Sequence, residues 1–211
     1  MPKEPLYYDF RSQETALSRR NLPHLTAPGA AYFVTFRLAD SMPEATGDRF
    51  CSMRKRIENL RAQGKAKEAM YLQSRLTGEE ESCLDLGLGA CLLNQPDLAK
   101  LVMDALLHFE ADRYDTYACC LMPNHVHSVF RPLGAWSLRK IVHSWKSFTA
   151  HEMVRAMSKR GSVWQHETFD HLVRTRRDLD KFVAYVLANP QKGGLGADWP
   201  WVYSSTISNV P

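Results

Sequence analysis

The 211-residue chain is 45% hydrophobic with a formal net charge of +4, a balance that admits a packed core and excludes a polar, disordered chain. No run of 18 apolar residues occurs and the start, Met1-Pro2-Lys3-Glu4-Pro5, is polar and charged, so neither a membrane helix nor an export signal is expected and a cytoplasmic protein is. Five cysteines, Cys51, Cys83, Cys91, Cys119 and Cys120, lack Cys-x-x-Cys spacing, which argues against a zinc ribbon or a disulfide framework.

In chain order, residues 1–28 mix Arg19 and Arg20 with Pro23 and Pro28 and read as an irregular N-terminal arm. Tyr32 to Leu38 is rich in aromatic and β-branched residues, a strand with Tyr32, Val34 and Phe36 on one side. From Gly47 to about Leu76, Met53, Ile57 and Leu60 repeat at helical spacing, interrupted by Gly64 and ended by an acidic turn at Gly78-Glu79-Glu80-Glu81. This stretch reads as a helical insertion of about residues 47–94 in a body of 29–198. A helix capped by Asp97 runs to about Phe109. Two apolar runs, 116–121 and 126–130, flank the turn-forming Pro123-Asn124 and predict a strand, a tight connection and a strand. Ser137 caps a helix to about Met157, an extended piece passes Phe169 and Leu172, and Asp178 caps a last helix that ends before Asn189-Pro190. Residues 199–211 form a tail whose Trp199, Trp201 and Tyr203 are expected to dock on the body. The order suits an α+β, ferredoxin-like (split βαβ) four-stranded antiparallel sheet with helices on one face, which by itself decides nothing about function.

Charge is uneven along the chain. Residues 131–177 hold ten Lys or Arg against three Asp or Glu, whereas residues 78–115 hold two against nine. The basic stretch suits a polyanion, although a solvated helix face would look the same. On a strand, His125 and His127 project to one side, which makes half of a metal site or simply a structural pair. Tyr185 and Asn189 are one helical turn apart and share a face. A carboxamide oxygen can bind a hard cation, and a phenolate can attack phosphorus and form a covalent intermediate.

The combination resembles a family. Met122-Pro123-Asn124-His125-Val126-His127, Ser144-Trp145-Lys146-Ser147-Phe148, Trp164-Gln165 with Phe169-Asp170-His171, and Tyr185 followed by Asn189-Pro190 and Gly193-Gly194-Leu195 resemble the HUH tyrosine transposases. Within them, the REP-associated tyrosine transposases of bacteria are most similar, and Arg19-Arg20-Asn21-Leu22-Pro23-His24 and Tyr32 to Leu38 also resemble that branch. The resemblance runs from about residue 19 to 205 and explains the insertion least. It implies Mg²⁺ or Mn²⁺ held by His125, His127 and Asn189, with Tyr185 as the nucleophile that cuts and rejoins single-stranded hairpin DNA through a 5′-phosphotyrosine. Many relatives carry glutamine where Asn189 stands. The implied setting is cytoplasmic and nucleoid-associated, as a monomer or a homodimer.

With that role, Arg139, His143 and Lys146 fall on one helical face that can follow a phosphate backbone, and Arg174, Arg176 and Arg177 precede the tyrosine helix. Arg19 and Arg20 are candidates for the base of a hairpin, and Trp145 and Trp164 are either stacking platforms or core. Two other readings stay open: a ferredoxin-like nucleic-acid-binding module without catalysis, and a metal-dependent hydrolase in which Tyr185 is structural.

Overall fold

Alternation along the strands builds the sheet. The computed structural model describes Pro5, Tyr7 and residues 16–19, 23–158 and 161–205. A small hairpin, β1 (Ala16–Arg19) with β2 (Pro23–Thr26), pairs antiparallel where an irregular arm was expected. Then come β3 (Tyr32–Arg37), α1 (Glu44–Ala62), α2 (Ala66–Asp85), a single 3₁₀ turn at Leu92–Asn94, and α3 (Pro96–Leu107). They are followed by β4 (Tyr114–Met122), β5 (His125–Pro132), α4 (Leu138–Met157), β6 (Phe169–Leu172), α5 (Arg176–Lys192) and β7 (Val202–Ser204).

The large sheet has the order β6-β3-β5-β4-β7 with antiparallel neighbours throughout. Its first four strands, joined through α3 and α4, are the expected split βαβ arrangement. The sheet has five strands rather than four, because the tail adds β7 beside β4. Leu121 donates its N–H to the Trp201 carbonyl at 2.9 Å and Trp199 Nε1 donates to the Leu121 carbonyl at 2.7 Å, which is how the tail docks.

Helices also cover both faces rather than one. Tyr32, Val34 and Phe36 pack with Val126 and Phe130 against α3 and α4, while Phe33, Cys120, Met122 and Val129 pack against Leu179 and Val186 of α5. A bulge between Thr116 and Ala118 shifts the alternation of β4, so that Tyr114 and, beyond the bulge, Cys119 and Leu121 face the same side. With both faces covered, β4 is buried along its whole length. Each large side chain so enclosed contributes about 1.5–3 kcal/mol.

Three element ends differ from expectation. The acidic run at 78–81 lies inside α2, where Glu79 pairs with Arg49 and Arg75, and Glu80 with Arg54. Thr175, not Asp178, caps α5, its hydroxyl accepting the Asp178 N–H at 3.0 Å. Pro190 does not end α5, which runs on to Lys192. Proline there removes one N–H near the helix end, and the following turn closes through Gly193 N–H to the Asn189 carbonyl at 2.9 Å. Ser137 caps α4 as expected, accepting from the Lys140 N–H.

The insertion is an antiparallel helical hairpin with its own small core of Phe50, Ile57, Ala69 and Leu76. Its two ends meet at Gly89, where a Cβ would come within 2.5 Å of the Asp40 carbonyl oxygen and φ is +89°. Glycine is required there.

Candidate active site

His125 and His127 stand on β5, facing α5, and their Nε2 atoms are 3.0 Å apart. Cross-strand register puts Thr35 opposite His127, and the Thr35 hydroxyl lies 2.7 Å from His127 Nδ1. His125 Nδ1 lies 2.7 Å from the Asn124 side-chain oxygen. That amide is oriented from its other end, because Asn124 Nδ2 donates to the carbonyls of Leu84 at 3.3 Å and Leu88 at 3.1 Å.

Tautomers follow from these partners. The Asn124 oxygen only accepts, so His125 carries its proton on Nδ1 and presents a lone pair on Nε2. His127 then donates from Nε2 to His125, and the Thr35 hydroxyl donates to His127 Nδ1. Burial pushes the His125 imidazolium down to about 3, and holds His127 well below its usual range, reinforced by the charges of His125 and Lys192. Both rings are neutral near pH 7, the form in which imidazole binds a cation.

Tyr185 and Asn189, one turn apart on α5, share a helical face, and Tyr185 reaches the histidines. The Tyr185 ring meets His127 edge-on with centroids 5.4 Å apart, and meets Phe33 likewise at 5.6 Å. Phe33 is the floor, stacked on Phe182 at 4.9 Å and on His127 at 5.5 Å. Asn189 is fully buried, and neither its amide nitrogen nor its oxygen has a hydrogen-bond partner of normal geometry, although it lies near enough to the phenol to ease its ionisation. An orphaned buried amide costs roughly 1–3 kcal/mol, so this site is built to receive something.

Once the hydrogen bond between the two Nε2 atoms is released, two imidazole nitrogens and one amide oxygen make a donor set that fits a divalent cation. Among the described residues no three His, Cys, Asp or Glu side chains converge as metal donors, so such an ion would depend on Asn189 and on water for its remaining positions. His127 would have to move its proton from Nε2 to Nδ1, and the Thr35 oxygen can accept it there.

The other predicted residues divide by location. Arg174, Arg176 and Arg177 are exposed at the start of α5, on the side of the site, with Arg176 bonded to Asp180 at 3.0 Å. Arg139 and His143 are exposed on α4, which covers the opposite face of the sheet. Lys146 is half-buried, and its ammonium donates to the carbonyls of Gln165 at 2.7 Å and His166 at 3.0 Å and to the Thr168 hydroxyl at 3.1 Å, so it ties down the loop before β6. Burial brings its pKa down to about 8. Trp145 and Trp164 are core residues, with indole N–H groups bonded to the Tyr114 and Thr149 hydroxyls. Arg19 lies on β1, and Arg20 lies outside the described residues.

Sequence reasoning missed Thr35, Asn124 and the acidic contribution of the insertion. The charges of Glu81 and Asp85, one turn apart on α2, reach the Tyr185 phenol, and Lys192 Nζ sits 4.5 Å above the tyrosine ring. Burial first, then the charge of Glu81, raises the phenol above its usual range. Asn124 was discoverable as the direct neighbour of His125, whereas nothing local marks Thr35 or Glu81.

Residues 99–189, which include both histidines, Tyr185 and Asn189, match the family model described as transposase IS200 like. This segment is thus similar to the IS200-like transposases. The chain is also similar to a REP-associated tyrosine transposase of Haemophilus influenzae, at 26% identity over 113 residues, which cover 46% of this chain and 61% of that relative. The match thus spans about three fifths of the relative's length. Among solved structures, the REP-associated tyrosine transposase bound to a REP hairpin aligns over 83% of this chain and 77% of its own, with a TM-score of 0.49 and 16% identity. The IS200-like segment excludes α1 and α2, so Glu81 comes from outside it.

Proposed function

We propose that this chain is a metal-dependent single-stranded DNA endonuclease and strand transferase that cuts and rejoins hairpin-forming DNA through Tyr185. The observation that carries the reading is the convergence of two neutral imidazoles, an orphaned buried carboxamide and a phenol on one side of the sheet. The similarity of the segment that holds all four to the IS200-like transposases supports it.

His125, His127 and Asn189 would hold Mg²⁺ or Mn²⁺, whose role is to polarise the scissile phosphate and favour the phenolate. Tyr185 attacks phosphorus as its phenol proton leaves; the bond from Tyr185 Oη to phosphorus forms and the bond from phosphorus to the 3′ oxygen breaks. A 5′-phosphotyrosine and a free 3′-hydroxyl result. The energy of the broken ester is kept, so attack by a 3′-hydroxyl reverses the step without a nucleotide cofactor. Arg174, Arg176 and Arg177 are placed to meet backbone phosphates beside the tyrosine helix, and Arg139 and His143 can do so only for DNA that wraps the sheet edge.

The test is incubation with end-labelled hairpin oligonucleotides and Mn²⁺, with the adduct resolved on a denaturing gel. A metal-dependent adduct is expected, and Tyr185→Phe should abolish it while DNA binding persists. Cleavage retained by Tyr185→Phe would sink the mechanism. Tight binding with no adduct would favour a DNA-binding protein without catalysis.

A further inference from the structure

We propose that Lys192 is a further catalytic residue, whose ammonium holds a non-bridging oxygen of the scissile phosphate while Tyr185 attacks. The inference deepens the reading above and rests on Tyr185 being the nucleophile. Tyr185, Asn189 and Lys192 follow one another at spacings of four and three, so all three lie on one face of α5. Lys192 Nζ stands over the Tyr185 ring, 4.5 Å from its centre. Lys192 lies just beyond the segment similar to the IS200-like transposases, which ends at Asn189.

The backbone that carries this lysine is held on both sides. α5 closes in a Schellman turn, the Leu195 N–H donating to the Pro190 carbonyl at 2.8 Å and the Gly194 N–H to the Gln191 carbonyl at 3.1 Å. Lys192 is the last residue of the helix. Its neighbour Gly193 lies against the Met122 methyl, and Met122 is the cross-strand partner of His125. The helix end is thereby pinned beside the histidine pair, while the Lys192 side chain itself is exposed and open to a substrate.

Its charge is also unspent. Lys146 gives its ammonium to loop acceptors, and Arg176 is bonded to Asp180. Among the described residues Lys192 enters no ion pair, and its contact is with the face of the tyrosine ring. A phosphate oxygen, which accepts a charge-assisted hydrogen bond, is a stronger partner than an exposed ring. Rotation about the last bonds of the side chain carries Nζ from the ring to the oxygens of a phosphate seated at Tyr185 Oη. A cation is needed at that point. The phosphodiester carries one negative charge and gains a second as the phenolate adds, and Glu81 and Asp85 already bring negative charge to the phenol.

The measurement is single-turnover adduct formation on end-labelled hairpin oligonucleotides with Mn²⁺ and saturating protein. It compares wild type, Lys192→Ala, Lys192→Arg and Tyr185→Phe, with hairpin affinity and thermal melting recorded for each. At the bond that the wild-type adduct identifies, the phosphate is then replaced by each stereoisomer of a methylphosphonate, which removes one charged non-bridging oxygen. Lys192→Ala is expected to slow adduct formation about 100-fold with melting and affinity nearly unchanged, and Lys192→Arg to recover most of the rate. With one of the two stereoisomers the loss caused by Lys192→Ala should nearly vanish, because the oxygen that the ammonium holds is gone. A wild-type rate for Lys192→Ala would overturn the proposal, as would Lys192→Arg being as slow as Lys192→Ala. An undiminished loss with both stereoisomers would overturn it too, and would assign Lys192 to holding the ring. Absence of an adduct with wild type would remove the nucleophile reading and this inference with it, whereas a normal wild-type adduct with an unaffected Lys192→Ala would remove this inference alone.

Discussion

Thr35 touches neither DNA nor cation in the proposed chemistry, yet the state of His127 runs through its hydroxyl. With the two Nε2 atoms 3.0 Å apart and hydrogen-bonded, His127 must release the Nε2 proton before both rings can serve one ion. Thr35 Oγ1, at 2.7 Å from Nδ1, either donates or accepts, so it supports both tautomers. Valine at this position keeps the shape and removes the switch. Thr35→Val is expected to weaken Mn²⁺ binding about 10–100-fold, by calorimetric or electron-paramagnetic-resonance titration. Thr35→Ser should bind as wild type does. Equal affinity for Thr35→Val would mean that the ring orients without this partner.

At the scale of elements, the inserted hairpin is separable in its packing and inseparable in its role. Its core of Phe50, Ile57, Ala69 and Leu76 is distinct from the two clusters that flank the sheet, and its ends meet at Asp40 and Gly89. Removing residues 43–88 and closing the gap with a short glycine linker is therefore expected to leave a cooperatively melting body. Asn124 would lose both carbonyl partners, at a cost of roughly 1–3 kcal/mol, and His125 would lose its fixed tautomer, which ¹⁵N NMR of the ring reads directly. Loss of cooperative melting would show that the body needs the hairpin to fold. These contacts also explain what the sequence could and could not reveal. The alternation of Tyr32, Val34 and Phe36, the Ser137 cap and the flanking of Pro123-Asn124 by apolar runs are local patterns, and each element formed there. The acidic run at 78–81 looks like a turn because the partners Arg49 and Arg54 lie far off in sequence, on α1. Asn189-Pro190 looks like a helix end because the closing turn depends on Gly193, whose missing Cβ lets it lie against the Met122 methyl. Residue types of the site were readable from spacing, but its supports, Thr35 and the Leu84 and Leu88 carbonyls behind Asn124, arise from strand register and helix docking.

For the whole molecule, the cost of the site appears as a dependence of stability on acid. Burying two imidazoles on one sheet face lowers the affinity of both for protons, His125 to about 3 from an ordinary 6.5. His171, opposite Phe33 on β6, is lowered by burial as well. In the unfolded chain these rings protonate near 6.5 and in the folded chain only at lower pH, so the unfolded state binds more protons as pH falls and stability drops. For His125 the loss between pH 7.5 and 5.5 is about 1.4 kcal/mol. The buried carboxyls act in the other direction, because Glu80, Glu81 and Asp85 are raised by burial and so favour the folded state as they protonate. That gain begins as pH falls through their raised folded values and is complete only below the ordinary 4.5 and 3.8, so it offsets part of the histidine loss. Urea unfolding in EDTA should accordingly give a lower midpoint at pH 5.5 than at pH 7.5, and replacing both His125 and His127 by asparagine should shrink the difference. Adding Mn²⁺ should raise the midpoint by a similar amount at the two pH values, since both rings stay neutral in the folded chain across this range. A Mn²⁺ effect that survives the double replacement would place the ion away from the histidine pair.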